Sequence, residues 1–199
     1  MSVLGIGIEQ ERPKVIGAGF WIRALARITD SLYCTIIGFV TGVCSAITLT
    51  ILQRYSVIEP GWAHRMPHFI ALLPASLLGT IIYHAISEGV YGASAGKFVF
   101  ALRVLSESRT PCDIPSAFLR EIAYFFDALF FGLVGYLSMD KTPLQQRYGD
   151  HWAGTIVVRT ADVPPESRRS GRMFAFSLIL ASFACALPMW IAVVLVAAQ

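Results

Sequence analysis

The sequence predicts an all-α integral membrane protein: three spanning helices, a broken or re-entrant helical hairpin, and a small two-stranded β ribbon on the cytosolic side. Three observations lead there. Of 199 residues, 55% are hydrophobic and only 15% charged, with a mean hydropathy of +0.61, well above an ordinary soluble domain. Uncharged runs fill residues 31–52 and 173–199, and a third, 69–87, is interrupted only by Pro74 and the ionisable His84. The Lys and Arg residues fall asymmetrically about these runs once the hairpin is included, as the retention of positive charge in the cytosol requires.

Residues 1–14 hold Glu9, Glu11, Arg12 and Lys14 and lack an apolar core, so they read as a flexible tail and no cleavable signal peptide is expected. Residues 15–29 read as an interfacial helix start that feeds the first span, 31–52. Its 22 residues cover about 30 Å at helical rise, the thickness of a bilayer core. A loop with Pro60, Gly61 and Pro67 leads to the second span, 69–87. His64 and His68 in that loop have a ligand-like spacing, but Pro67 spoils a regular helix and no third ligand is near, so a solvated loop and no metal site is expected.

The segment 122–139 is marginal in length and contains Asp127, Gly132 and Gly135. A break between the glycines gives two arms of about nine residues, each reaching half the core. Such backbone survives at membrane depth only when buried in protein or lining a cavity. The last run, 173–199, is long enough to span. Residues 98–105 and 154–159 are β-branched or aromatic-rich and strand-like. An isolated strand leaves backbone groups unpaired, so the two are expected to pair, which puts both on one side of the membrane.

Charge counting tests that arrangement. If all four segments crossed, the 16 Lys and Arg residues would divide eight and eight. If 122–139 turns back, only Arg54 and Arg65 fall on the far side. The second topology obeys the positive-inside rule and predicts an inner-membrane protein with its N-terminus cytosolic and C-terminus outside. The expected division is a tail at 1–14, a transmembrane domain at 15–160, a basic Pro/Ser linker at 161–172 and a C-terminal span at 173–199. Arg168, Arg169 and Arg172 in the linker suit anionic headgroups of the bilayer. The net charge of +3 is scattered without a dense patch, so nucleic acid is not an expected partner. Cys34, Cys44, Cys112 and Cys185 are widely spaced and read as small apolar residues.

Arg23, Arg27 and Asp30 stand at the mouth of the first span. Asp30 follows Arg23 by seven residues and Arg27 by three, so all three share one side of a helix. One reading is an interfacial ion pair with snorkelling arginines. The other is a polar site that binds a proton or small cation, with a neighbouring guanidinium competing for the carboxylate. His84 and Glu88, one turn apart, and Asp127 in the third segment are further intramembrane ionisable groups, each structural or functional.

Two motifs point elsewhere. The stretch Gly92-Ala93-Ser94-Ala95-Gly96-Lys97 fails as a phosphate loop, because Phe98 stands where Ser or Thr should hold magnesium. Its G-x-S-x-G needs a strand-to-helix turn on a parallel sheet that this chain cannot supply. The expectation is a glycine-rich helix exit that lets Lys97 meet headgroups or a carboxylate, in a protein that is not an enzyme. Gly38 and Gly42 form a G-x-x-x-G in the first span and permit close helix packing, within the chain in preference to between protomers.

The pieces in order, Gly19-Phe20-Trp21 with Arg23, Ala26 and Asp30, Gly92 with Gly96-Lys97 and Leu102-Arg103-Val104, Arg120-Glu121, and Gly149-Asp150-His151 with Ala153-Gly154-Thr155-Ile156-Val157-Val158, resemble the RDD family of small, mostly bacterial membrane proteins. The likeness covers about 15–159. It implies that Arg23 is the family arginine, Asp30 its first aspartate and Asp150 its second. It also implies a transmembrane domain associated with ligand or ion transport, including monovalent cation/proton exchange. His151-Trp152 replaces the usual aspartate-arginine-leucine continuation, and the span from Met173 lies outside the shared region.

The resulting expectation is ion-linked transport by Arg23, Asp30 and Asp150, supported by Arg27, His84, Glu88, Lys97 and Asp127, with no cofactor, metal or catalytic residue. Two spans and a hairpin are few for a complete path, so a homo-oligomer is expected. The alternative is a non-catalytic structural or assembly subunit of a larger membrane complex.

Overall fold

The computed structural model describes residues 16–57, 69–141 and 143–197; the expected tail and the loop with His64 and His68 lie outside them. Helix α1 (Phe20–Arg54) is one continuous 35-residue helix that joins the interfacial start to the first span. The final helix, α7 (Gly171–Ala197), packs against both α1 and α2 (Phe69–Val90). Between them lie α3 (Ala95–Val99), β1 (Leu102–Ser106), α4 (Ile114–Asp127), α5 (Leu129–Asp140), α6 (Tyr148–Trp152) and β2 (Thr155–Arg159).

Helices α1 and α7 are each long and apolar enough to cross a membrane. Leu32, Ile36, Phe39 and Ile47 of α1 and Phe176, Ile179 and Phe183 of α7 are exposed, a surface that suits lipid and not water. Contacts fix the directions. Asp30 near the start of α1 meets Tyr83 near the end of α2, and Tyr33 meets Ser182 of α7. The Arg169 guanidinium, just before α7, donates to the carbonyls of Gly89 and Val90. Thus α2 runs antiparallel to both neighbours. Arg169 thereby caps carbonyls at the end of α2.

The ribbon forms as expected. β1 and β2 pair antiparallel, from Leu102 opposite Arg159 to Ser106 opposite Thr155. The first strand starts later than 98 because Ser94 caps a helical turn over Ala95–Val99, its side chain accepting from the Lys97 N–H. Leu102, Val104 and Val157 then face Ala18, Ala26 and Ala117, whereas Leu105, Ile156 and Val158 face Val163.

β1 precedes α4–α5 in the chain and β2 follows it, yet the two strands are hydrogen-bonded, so α4–α5 leaves one end of the molecule and returns to it. The axes of Ile114–Asp127 and Gly132–Asp140 are bent by 108°. The turn comes earlier than the glycine pair suggested, at Ala128, with Phe130 and Gly132 in left-handed conformations (φ 52° and 86°). Gly135 stays inside α5, where an added Cβ would lie 3.1 Å from the Asp127 carbonyl oxygen. Its absent side chain lets the returning arm pack against the end of α4.

The stretch 161–172 is more ordered than a linker. It holds the 3-10 turns Thr160–Asp162 and Pro165–Ser167. Val163 is buried, and the Ser167 hydroxyl donates to the Arg109 carbonyl at 2.7 Å.

Candidate functional site: a buried charge network

The polar side chains withheld from lipid converge beside the ribbon. Arg120 of α4, 1% exposed, is the centre. Its Nη2 lies 2.9 Å and its Nε 3.0 Å from Asp150 Oδ1, and its Nη1 lies 3.2 Å from Glu88 Oε2. Arg23 donates from Nη1 to Asp150 Oδ2 at 2.5 Å, from Nε to the Ala18 carbonyl and from Nη2 to that of Gln145. Glu88 receives the Lys97 ammonium on its other oxygen. Arg27 donates to Glu121 Oε2 at 2.7 Å. His84 Nδ1 stands 3.3 Å from Glu88 and 4.0 Å from Glu121.

Asp150 is the third residue of the five-residue helix α6 and accepts the Arg147 backbone N–H at 3.2 Å. Burial alone would raise its carboxyl, but Arg120, Arg147 and Arg23 outweigh that and hold it well below the usual carboxylate range. The Lys97 ammonium is lowered from its ordinary value by burial, with Glu88 pulling the other way.

Asp30 departs from expectation. It pairs with neither Arg23 nor Arg27 and instead accepts three neutral donors: the Tyr83 hydroxyl (3.1 Å), the Ser94 hydroxyl (2.6 Å) and the Gly96 N–H (2.7 Å). The stripe on α1 is real, but each arginine reaches a carboxylate on a different, later element. This also explains the glycine-rich motif. Gly92 turns the chain at φ 91°, and a Cβ at Gly96 would meet the Ala26 carbonyl oxygen at 2.1 Å. Ser94 is spent on Asp30, and Lys97 is aimed at Glu88, the carboxylate contact that the sequence suggested. The motif seats the start of α3 on α1.

Asp127 sits at the rim. Its Oδ2 accepts the Gly149 N–H at 3.3 Å, and its buried Oδ1 has no hydrogen-bond partner among the described residues. The network therefore unites Arg23, Arg27, His84, Glu88, Lys97, Asp127 and Asp150, with Asp30 joined through Tyr83, Ser94 and Gly96. Sequence reasoning placed Arg120, Glu121 and Arg147 outside the site. Arg120 and Glu121 had a readable signal, two adjacent charges heading an apolar segment. Arg147 had a weaker one, its position three residues before Asp150.

Counted together, Asp30, Glu88, Glu121, Asp127 and Asp150 offset Arg23, Arg27, Lys97, Arg120 and Arg147 charge for charge. His84, Glu88 and Glu121 bring one donor atom each within 4.8 Å of one another, a grouping able to hold a metal ion. Lys97 and Arg27 already occupy those carboxylates, so the chain's own cations fill the place. A cavity of about 20 Å³ lies inside the network, lined by Asp30, His84, Lys97 and Glu121 with Arg23, Arg27 and Arg147.

Gly38 and Gly42 lie away from this site. Among the described residues, nothing comes within 4 Å of a Cβ built at either one, so they do not serve the close packing within the chain that was expected. They line a groove of about 710 Å³ among α1, α2 and α7 with Cys34, Cys185 and Met189. All four cysteines are free thiols.

The fold and site define a small helical membrane protein whose buried ionisable residues, among the described ones, gather into one charge-balanced network at one end. Residues 17–154 match the RDD family, and the chain belongs to that family of small membrane proteins. No curated protein and no solved structure matches the chain.

Proposed function

We propose that this chain is a multi-pass inner-membrane protein that crosses three times, through α1, α2 and α7, and supports ion-linked transport, a monovalent cation exchanging with protons, without enzymatic chemistry. The carrying observation is the cavity of about 20 Å³ walled by Asp30, His84, Lys97 and Glu121, room for one water or one small ion. The surrounding network is neutral as a whole. In a medium of low dielectric constant, adding one cation favours the loss of one positive charge, and the Lys97 ammonium on the cavity wall, already lowered by burial, is the group that can release a proton. Coupling then follows from electroneutrality, one proton out for one cation in. Asp150, held by three guanidinia, fastens the walls and does not exchange. The positive-inside count supports a cytosolic network, with α4–α5 as a hairpin on that side and the C-terminus outside.

A second reading is favoured by a separate observation. The open Gly38 and Gly42 face suits a protein helix from another protomer or a larger membrane complex, in which this chain is a structural or assembly subunit. Proteoliposomes with a trapped pH dye test the first reading. Sodium or potassium added outside is expected to drive proton movement in the wild type, and Asp30→Asn and Glu121→Gln to abolish it at normal membrane abundance. Folded wild-type protein that moves no protons in response to either cation overturns transport. Copurification with a larger membrane assembly then supports the second reading.

A further inference from the structure

A second cavity, of about 320 Å³, lies between α1 and the α4–α5 hairpin. It shares Arg23, Arg27 and Arg147 with the small void, but its other walls differ. Its lining carries three guanidinia, Arg23, Arg27 and Arg147, against one carboxylate, Asp127; the carboxylates that balance the others, Asp150 and Glu121, are not part of that wall, so the wall itself presents cationic donors that suit an anion. Arg23 is fully engaged, as described above. Arg27 and Arg147 are not: their guanidinium carbons stand 4.0 Å and 5.4 Å from the centroid of one ring, Tyr124, and both line the same cavity. Only Nη1 of Arg27 is bonded, to Glu121. Arg147 Nε is buried without a hydrogen-bond partner among the described residues, its nearest carboxylates being 3.7 Å and 4.0 Å away.

Asp127, only 2% exposed, lies on the same wall, and its Oδ1 has no hydrogen-bond partner among the described residues. An unsatisfied acceptor there calls for a hydroxyl donor beside the anion. Apart from Ser31 and Tyr124 the remaining walls are apolar, and Ile28, which is 58% exposed, carries them outward to the lipid-facing side of α1. The required occupant has an anionic group, a nearby hydroxyl and a hydrocarbon tail that leaves sideways.

We propose that this cavity binds an anionic membrane phospholipid with a hydroxylated headgroup, its phosphate across Arg27 and Arg147 and its hydroxyl on Asp127 Oδ1. Bidentate phosphate recognition is the ordinary chemistry of a paired-arginine site. Nothing in it depends on ion coupling, so a failed transport assay leaves it standing.

Native mass spectrometry and melting of the whole detergent-solubilised protein test it, with phosphatidylglycerol, phosphatidylmethanol, phosphatidylcholine and inorganic phosphate as probes. Phosphatidylglycerol is expected to bind one per chain and raise the melting temperature, and phosphatidylcholine and inorganic phosphate to do neither. Arg147→Gln is expected to weaken binding about ten-fold or more, as loss of a charge-assisted hydrogen bond does. Ala24→Leu puts a larger side chain on the cavity wall without touching a charge, so it is expected to block binding while the lipid-free protein stays folded. Equal binding of phosphatidylcholine, full competition by inorganic phosphate, or undiminished binding in both variants overturns the proposal. Phosphatidylmethanol, which lacks the hydroxyl, is expected to bind more weakly, and equal binding overturns the role given to Asp127.

Discussion

Replacing Arg120 by Met keeps the length and apolar stem of the side chain while removing a guanidinium that bridges Asp150 at 2.9 Å and Glu88 at 3.2 Å. Neither carboxylate is then left alone, because Asp150 keeps Arg23 and Glu88 keeps Lys97. Removing one partner from a buried ion pair costs about 3–5 kcal/mol, and the surviving partners place this case toward the lower end. For a chain of this size each kcal/mol moves the melting temperature by about 2–4 °C, so at about 3 kcal/mol a fall of about 6–12 °C is expected. Thermal unfolding in detergent, followed by tryptophan fluorescence, reads it. A double-mutant cycle with Asp150→Asn should show the two changes costing about 1–3 kcal/mol less together than separately, since they act on one contact. Arg159→Met, at an exposed residue ending β2, is the control and should stay within about 0.5 kcal/mol of wild type. Melting of Arg120→Met within about 2 °C of the wild type, or strict additivity in the cycle, would refute the view that Arg120 ties α2, α4 and α6 together.

Two further outcomes follow from the aspartates. Asp30→Asn keeps an oxygen for the Tyr83 and Gly96 donors and is expected to cost about 1 kcal/mol, whereas Asp30→Ala strands three buried donors and should cost about 2–4 kcal/mol; equal melting of the two would show that α3 is not held through Asp30. Because Asp150 is held below its unfolded value, the stability it adds is fully present above about pH 4 and is lost as pH falls toward and through the lowered folded value, so Asp150→Asn should flatten the acid side of the melting-temperature profile, and an unchanged acid limb would contradict the role given to the three guanidinia.

The uncharged runs determined the helices by themselves. Burial in lipid demands an unbroken apolar sequence with every backbone group satisfied within the helix, so 31–52 and 173–199 could be read directly as α1 and α7 segments. The pairing of 98–105 with 154–159 was legible for a related reason, because a lone strand leaves donors and acceptors without partners. The return of α4–α5 followed from that pairing, but the position of the turn did not. It depends on the closeness of Gly135 to Asp127 and on Gly132 adopting a left-handed backbone, both of which are packing outcomes.

The sequence alone also picked out Arg23 and Asp30 as residues whose charge near a bilayer had to be compensated, and the family resemblance added Asp150. Which group compensates which was decided only by the tertiary structure. Helical spacing puts Arg23 and Asp30 on one stripe, but an ion pair forms wherever two side chains meet at about 3 Å, and those meetings are made by α3, α4 and α6. The fold gives Arg23 to Asp150, Arg27 to Glu121 and Lys97 to Glu88, and leaves Asp30 to a hydroxyl pair and a backbone amide. Periodicity and charge cost are local properties of the chain. Pairing across more than a hundred residues is a property of its packing.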